Sequence, residues 1–156
     1  MGSNPTDRAK PGTKRSLITE ASGGPLGVVL AGANCNDHLL LEETIEAIVV
    51  ERPEPTSKHP QNLCLDKGYD NEGTRQLVNE KGYTPHIRRI GEEKRDQEGK
   101  KRYPARRWVV ERTLAWLNKC RGILVRWEKK ASNYLGMIKV ACALIWGRRL
   151  LKLTHK

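Results

Sequence analysis

Phenylalanine is absent from the 156 residues, and with four Trp and four Tyr the chain has little aromatic surface to bury. It also lacks any apolar run near the roughly 20 residues of a membrane span. The most apolar stretch, Tyr134 to Trp146, is short and broken by Gly136 and Lys139. No membrane partner is expected. No secretory signal precedes the first charged residues, so a cytoplasmic protein is expected. Cys35, Cys64, Cys120 and Cys142 form no Cys-x-x-Cys pair, and each sits in an apolar stretch. That predicts buried thiols in a reducing compartment, with neither a zinc site nor a disulfide frame. No internal repeat is visible. Acids are scarce beside bases, 18 against 29, and the net charge is +11. Such an excess points to a polyanion, nucleic acid before an anionic membrane surface. The length suits a single domain with a real core.

What is present divides into short elements. Residues 1–13 are polar and turn-rich and read as loop. Lys14 to Glu20 and Pro25 to Ala33 are β-rich and joined by Ala-Ser-Gly-Gly, a hairpin pattern. Asp37 is the expected cap of a helix through Val50, with Leu41, Ile45, Ile48 and Val49 inward and Glu42, Glu43 and Glu46 outward. A proline-rich connector over 52–60 leads to a short strand, Asn62 to Leu65, ending at Asp66. Gly68 permits a turn, Asp70 is the expected cap of the next helix and Gly82 its stop; Tyr83 to Ile87 reads as another strand. Residues 88–104 carry almost nothing to bury and read as a flexible basic loop. A helix is expected from Ala105 to Arg121, with Val110, Leu114 and Leu117 on its apolar face and Gly122 at its exit. Trp108 and Trp116 on it read as core anchors more readily than as base-stacking platforms. A last helix, Asn133 to Leu151, is apolar nearly all round and is expected in the core. This order predicts an α/β sheet flanked by helices.

Two acids attract attention. Glu111 stands on its helix among Arg106, Arg107, Arg112, Lys119 and Arg121. One reading is an i,i+4 pair with Arg107 on a solvated face; the other is a carboxylate that holds a divalent metal against a polyanion. Asp66 ends a strand before a glycine turn, where open α/β sheets place ligands, or else is simply the first residue of that turn. Facing each other, the two would suit Mg²⁺ or Mn²⁺ rather than zinc. A two-metal clamp usually wants a third carboxylate. His38, His59, His86 and His155 show no ligand spacing and are not read as catalytic.

Asn-Pro-Thr-Asp-Arg (4–8), Gly-Thr-Lys-Arg (12–15), Ala-Gly-Ala-Asn-x-x-Asp (31–37), Leu-Asp-Lys-Gly-Tyr-Asp (65–70), Arg-Trp-Val-Val-Glu-Arg-Thr (107–113) and Arg-Trp-Glu-Lys (126–129) run in order along the chain. Together they resemble the DDE transposases of bacterial insertion sequences, the insertion-sequence-five family in particular. The resemblance implies a ribonuclease H-like mixed sheet with flanking helices, and metal-dependent cleavage and strand transfer of double-stranded DNA. It implies Asp66 and Glu111 as the second and third acids of the triad, both catalytic and metal-binding. Arg107 matches the Arg of the family's Arg-x-x-x-Glu signature. The Lys that often follows that Glu by seven positions is Asn118 here, beside Lys119. Lys67, Arg107, Arg112, Lys119, Arg121, Arg126, Lys129 and Lys130 are the expected phosphate contacts. The family's first acid lies on a strand upstream of the 4–8 motif, so a partial domain lacking its first, central strand is expected, with two sheet edges left open. Asp7 and Asp37 are not assigned the vacant role. The chain is expected to be weak or inactive alone, to pair with an upstream-frame transposase segment or as a homodimer, and to associate with the nucleoid. The alternative is a non-catalytic, regulatory DNA-binding fragment or a decayed remnant.

Overall fold

The structure, a computed structural model, describes residues 2–3, 11–87 and 107–154. It is a mixed α/β protein whose chain packs as two compact units, Met1–Val50 with Val109–Lys156, and Glu51–Trp108. The expected basic loop, 88–104, lies outside the described residues, as do Ala105 and Arg106.

In the first unit, β1 (Gly2–Ser3), β2 (Pro11–Thr19) and β3 (Pro25–Gly32) form an antiparallel sheet in that order. The hairpin is where the sequence puts it, but β2 begins at Pro11 and β1 pairs with its first residues, so the 1–13 stretch is not all loop. A 3₁₀ turn (Asp37–Leu40) opens α1 (Leu41–Glu46). Two expectations fail here. Asn36 is the residue before the turn, and Asp37 caps nothing; its carboxylate pairs with Lys14 Nζ at 3.2 Å. The helix also stops well short of Val50. The Val49 amide donates to the Leu26 carbonyl at 3.1 Å, drawing the chain off the helix toward β3 and leaving the Val49 side chain 79% exposed. Gly27 allows this approach, since a Cβ there would meet the Ala47 carbonyl oxygen at 2.7 Å.

Three further helices complete the unit: α3 (Arg107–Asn118), α4 (Arg121–Leu124) and α5 (Ala131–Thr154), α2 belonging to the second unit. The helix expected from Ala105 to Arg121 thus ends at Asn118, before the predicted stop, and Gly122 lies inside α4. Its buried side is Val109, Thr113 and Leu117, a face rotated from the predicted one. Trp108 is 54% exposed and no core anchor. The core gathers Val28, Leu117, Ile123, Tyr134, Ile138 and Ala141. Tyr134 satisfies its hydroxyl by donating to the Ile123 carbonyl at 2.6 Å, as a buried phenol requires. Contrary to expectation, α5 buries only one side, because a single three-stranded sheet face can cover no more.

The second unit is a β-α-β crossover: β4 (Asn62–Leu65), a 3₁₀ turn (Lys67–Tyr69), α2 (Glu72–Glu80) and β5 (Thr84–Ile87). The strands are parallel, in register from Asn62↔Thr84 to Leu65↔Ile87. Val78, Thr74, Leu63 and Ile87 are buried between helix and strands. Asn71, not Asp70, caps α2, its side chain accepting from the Thr74 amide at 2.8 Å. Asp70 instead pairs with Arg75 at 2.6 Å. Gly82, at φ +77, ends the helix as predicted. Among the described residues there are thus two sheets, not one. The thiols are not buried either: Cys64 and Cys120 are exposed and Cys35 and Cys142 half-buried. On β4 this follows from alternation, with Leu63 inward and Cys64 outward. Among the described residues no helix is long and apolar enough to cross a membrane.

Candidate active site

Asp66 sits at the carboxyl end of β4, exposed, where the parallel pair opens. Its side chain accepts from the Lys67 amide at 2.7 Å and caps the 3₁₀ turn. The carboxylate therefore has a turn-forming role in addition to any chemistry. Lys67 beside it is exposed. Nearby, Arg75 spans from Asp70 to the Ile87 carbonyl (3.2 Å) and ties α2 to the end of β5.

Glu111 lies on the exposed side of α3, in the other unit. The residues following it are fastened to the β2–β3 loop. Arg112 donates to the Ser22 carbonyl at 2.6 Å and lies 4.9 Å over the Trp116 ring. The fully buried Thr113 hydroxyl donates to the Gly23 carbonyl at 2.7 Å, with Val109 O as a second acceptor. Gly23 adopts φ +91, open mainly to glycine. The same loop is gripped from α5: Arg149 pairs with Glu20 at 2.6 Å, and Trp146 Nε1 donates to the Pro25 carbonyl at 2.8 Å. Glu20 also accepts from the amides of Ser22 and Gly24. Burial pulls its pKa up, but these bonds and Arg149 outweigh that and bring it from 4.5 down to about 2. Sequence reading missed this clamp, because its members lie far apart in the chain.

The predicted phosphate contacts divide in two. Lys119, Arg121, Lys129 and Lys130 are exposed. Arg112 and Arg126 turn inward. Arg126 donates to Thr13 Oγ1 (2.6 Å) and to the carbonyls of Glu128 and Lys129, and lies 5.4 Å over the Tyr134 ring. The Arg107 side chain lies outside the described residues. At Asn118, where the resemblance leads one to look for Lys, a cation comes from β2: Arg15 donates to Asn118 Oδ1 at 2.8 Å.

Among the described residues no group of three or more His, Cys, Asp or Glu is placed to hold a metal. Asp66 and Glu111, in different units, each offer a carboxylate of the type a hard divalent cation takes.

The Transposase DDE domain family matches residues 2–146, which takes in both units and both acids. A Burkholderia cepacia protein assigned as a transposase for insertion sequence element IS402 is 40% identical over 147 residues, covering 92% of this chain and 67% of its own. No solved structure matches. A strand-end aspartate, a helix glutamate and a basic surface, in a chain matched along nearly its whole length, lead to one conclusion: the chain belongs to the DDE domain family of transposases.

Proposed function

We propose that the chain is the part of a ribonuclease H-like insertion-sequence transposase domain that carries two of three catalytic carboxylates, Asp66 and Glu111. With a third acid supplied on a partner strand, it cleaves double-stranded DNA at a transposon end and transfers the strand. The observation that carries this is the exposure of Asp66 at the end of a parallel strand, in a chain of the transposase family. Asp66 and Glu111 would hold Mg²⁺ or Mn²⁺, which when bound activates the attacking oxygen and neutralises charge at phosphorus. The chain's own part is to orient the duplex: Lys67, Arg107, Lys119, Arg121, Lys129 and Lys130 contact phosphates, while Arg112 and Arg126 hold the elements that present them. DNA is the partner, and the nucleoid the place of action.

The open side of β2 supports a strand supplied from elsewhere. β1 pairs only with Pro11 and Gly12, antiparallel. Along Thr13–Thr19 the described strands pair with β2 on the β3 edge alone, so its other edge is open to a strand supplied from elsewhere.

The test is nicking of supercoiled plasmid in Mg²⁺, with and without an aspartate-bearing upstream segment added in trans. Cleavage should need both chains, and Asp66→Ala or Glu111→Ala should each lower it by about 100-fold or more, the scale set by loss of a transition-state charge stabiliser. Full nicking by the chain alone would refute the need for a third acid. The exposed Lys119, Arg121, Lys129 and Lys130 serve equally a second reading, a regulatory DNA-binding fragment. On that reading, cleavage never appears and binding is indifferent to both substitutions.

Binding itself has an expected signature. If Lys119, Arg121, Lys129 and Lys130 each meet one phosphate, each Ala substitution should reduce the slope of log K against log salt by about 0.9. Titrations at several ionic strengths would measure it. Substitution of Arg126 should instead lower thermal stability.

A further inference from the structure

Helix α5 carries a second apolar stripe besides its buried one. Met137, Val140, Leu144, Gly147 and Leu151 recur at alternating steps of three and four. At ~100° per residue they fall within an arc of about 80°. Met137, Val140, Leu144 and Leu151 are 37%, 62%, 61% and 60% exposed. Singly exposed apolar residues need no explanation, but a continuous heptad stripe does.

We propose that a second copy of this chain covers the stripe, α5 lying antiparallel against the partner's α5 about a two-fold axis at Leu144. Under that symmetry Leu144 meets the partner's Leu144, and Met137 meets the partner's Leu151. Val140 falls over the partner's Gly147, a large side chain over a small one. Gly147 has room for it, since no atom lies within 4 Å of where its Cβ would stand. A stripe complementary to itself is what a two-fold interface requires. The two stripes together bury on the order of 1,000 Å², the lower limit for a specific interface, so a weak dimer is expected.

Charge distinguishes a second copy from other occupants. Arg148 and Lys152 flank the stripe and the helix carries no acid, Arg149 being turned to Glu20 and Lys139 lying on the side of Glu43 and Glu46. Two copies therefore bring cations together at the rim, and salt, by screening them, strengthens the dimer. An acidic partner helix would be weakened by salt instead. This interface does not depend on Asp66 or Glu111, so it stands or falls apart from the cleavage reading.

Sedimentation of the full chain from about 1 to 100 µM, at about 0.1 and 0.5 M salt, is the test. A monomer–dimer equilibrium that tightens at the higher salt is expected. Leu144→Glu places two carboxylates on the axis and should leave only monomer, with the melting temperature of dilute, monomeric wild type because the position is exposed in the single chain. With Cys64 and Cys120 replaced by Ser, Leu144→Cys should cross-link to its copy on oxidation. Val140→Cys should not, since its own counterpart lies about 12 Å away along the axis. A monomer at every concentration, a dimer that survives Leu144→Glu, or equal cross-linking at both positions would overturn the proposal.

Discussion

Replacing Ile138 with alanine should destabilise the chain by about 2–5 kcal/mol, the range for removing a buried aliphatic side chain and leaving a cavity. Ile138 is fully buried among Val28, Leu117, Ile123 and Tyr134, and it lies where α5 meets β3 and α4. These neighbours belong to separate elements braced by other contacts, so little collapse into the space is available. Leu150→Ala, on the same helix but 59% exposed and outside the 137–151 stripe, is the control and should cost well under 1 kcal/mol, as surface changes do. Urea titrations of both variants would measure the difference from the midpoint and slope. Equal losses at the two positions would mean that the buried side of α5 has been assigned wrongly.

The second large effect is expected at the β2–β3 loop. Gly24→Ala would place a Cβ 2.3 Å from Trp146 Cζ2 and 2.6 Å from Arg149 Nη1. Trp146 is held by its bond to the Pro25 carbonyl and has no easy retreat, so a loss of about 1–3 kcal/mol is expected from overpacking. Glu20→Gln tests the electrostatic part. The pKa of Glu20 is lowered from 4.5 to about 2 on folding, so its contribution is full above about pH 4.5 and disappears as pH falls toward 2. The shift corresponds to at most about 3–4 kcal/mol. Partial exposure of Glu20 and Arg149 (31% and 26%) lowers the expected value to about 1–2 kcal/mol. Thermal melts across pH 2–7 should show wild type converging on Glu20→Gln in acid. Parallel curves at every pH would show that the carboxylate's charge contributes nothing.

Much of the local structure was legible because it depends on neighbours in sequence. The β2–β3 hairpin follows from two β-rich runs around a glycine pair, and the β4–α2–β5 crossover from short apolar runs punctuated at Gly68 and Gly82. Helix ends were less legible. Asp37 and Asp70 both resemble caps, yet each found a cation instead, Lys14 and Arg75, and Asn71 took the cap that Asp70 was expected to provide. A short polar side chain states what it is able to bond, not which partner arrives. The breadth of an apolar face was misread for the same reason. α5 is apolar enough to be surrounded, but it has a sheet and a short helix on one side only.

At the candidate site the chemistry was legible and the support was not. Asp66 at a strand end and Glu111 on a helix come from spacing, order and family resemblance. The fastening of the Glu111 helix to the β2–β3 loop through Arg112, Thr113, Glu20, Trp146 and Arg149 joins residues up to 129 positions apart. Likewise, nothing local distinguishes Arg126, bound to Thr13, from the exposed Lys129 and Lys130.

The amino-acid sequence by itself determined the positive charge, the secondary elements near glycine and proline, and membership of the transposase family, since these reside in composition and short-range pattern. Tertiary structure alone decided which cations face solvent and which are spent inside, and which side of α5 remains uncovered. Those outcomes depend on the element that packs opposite, and that neighbour is chosen by the fold as a whole.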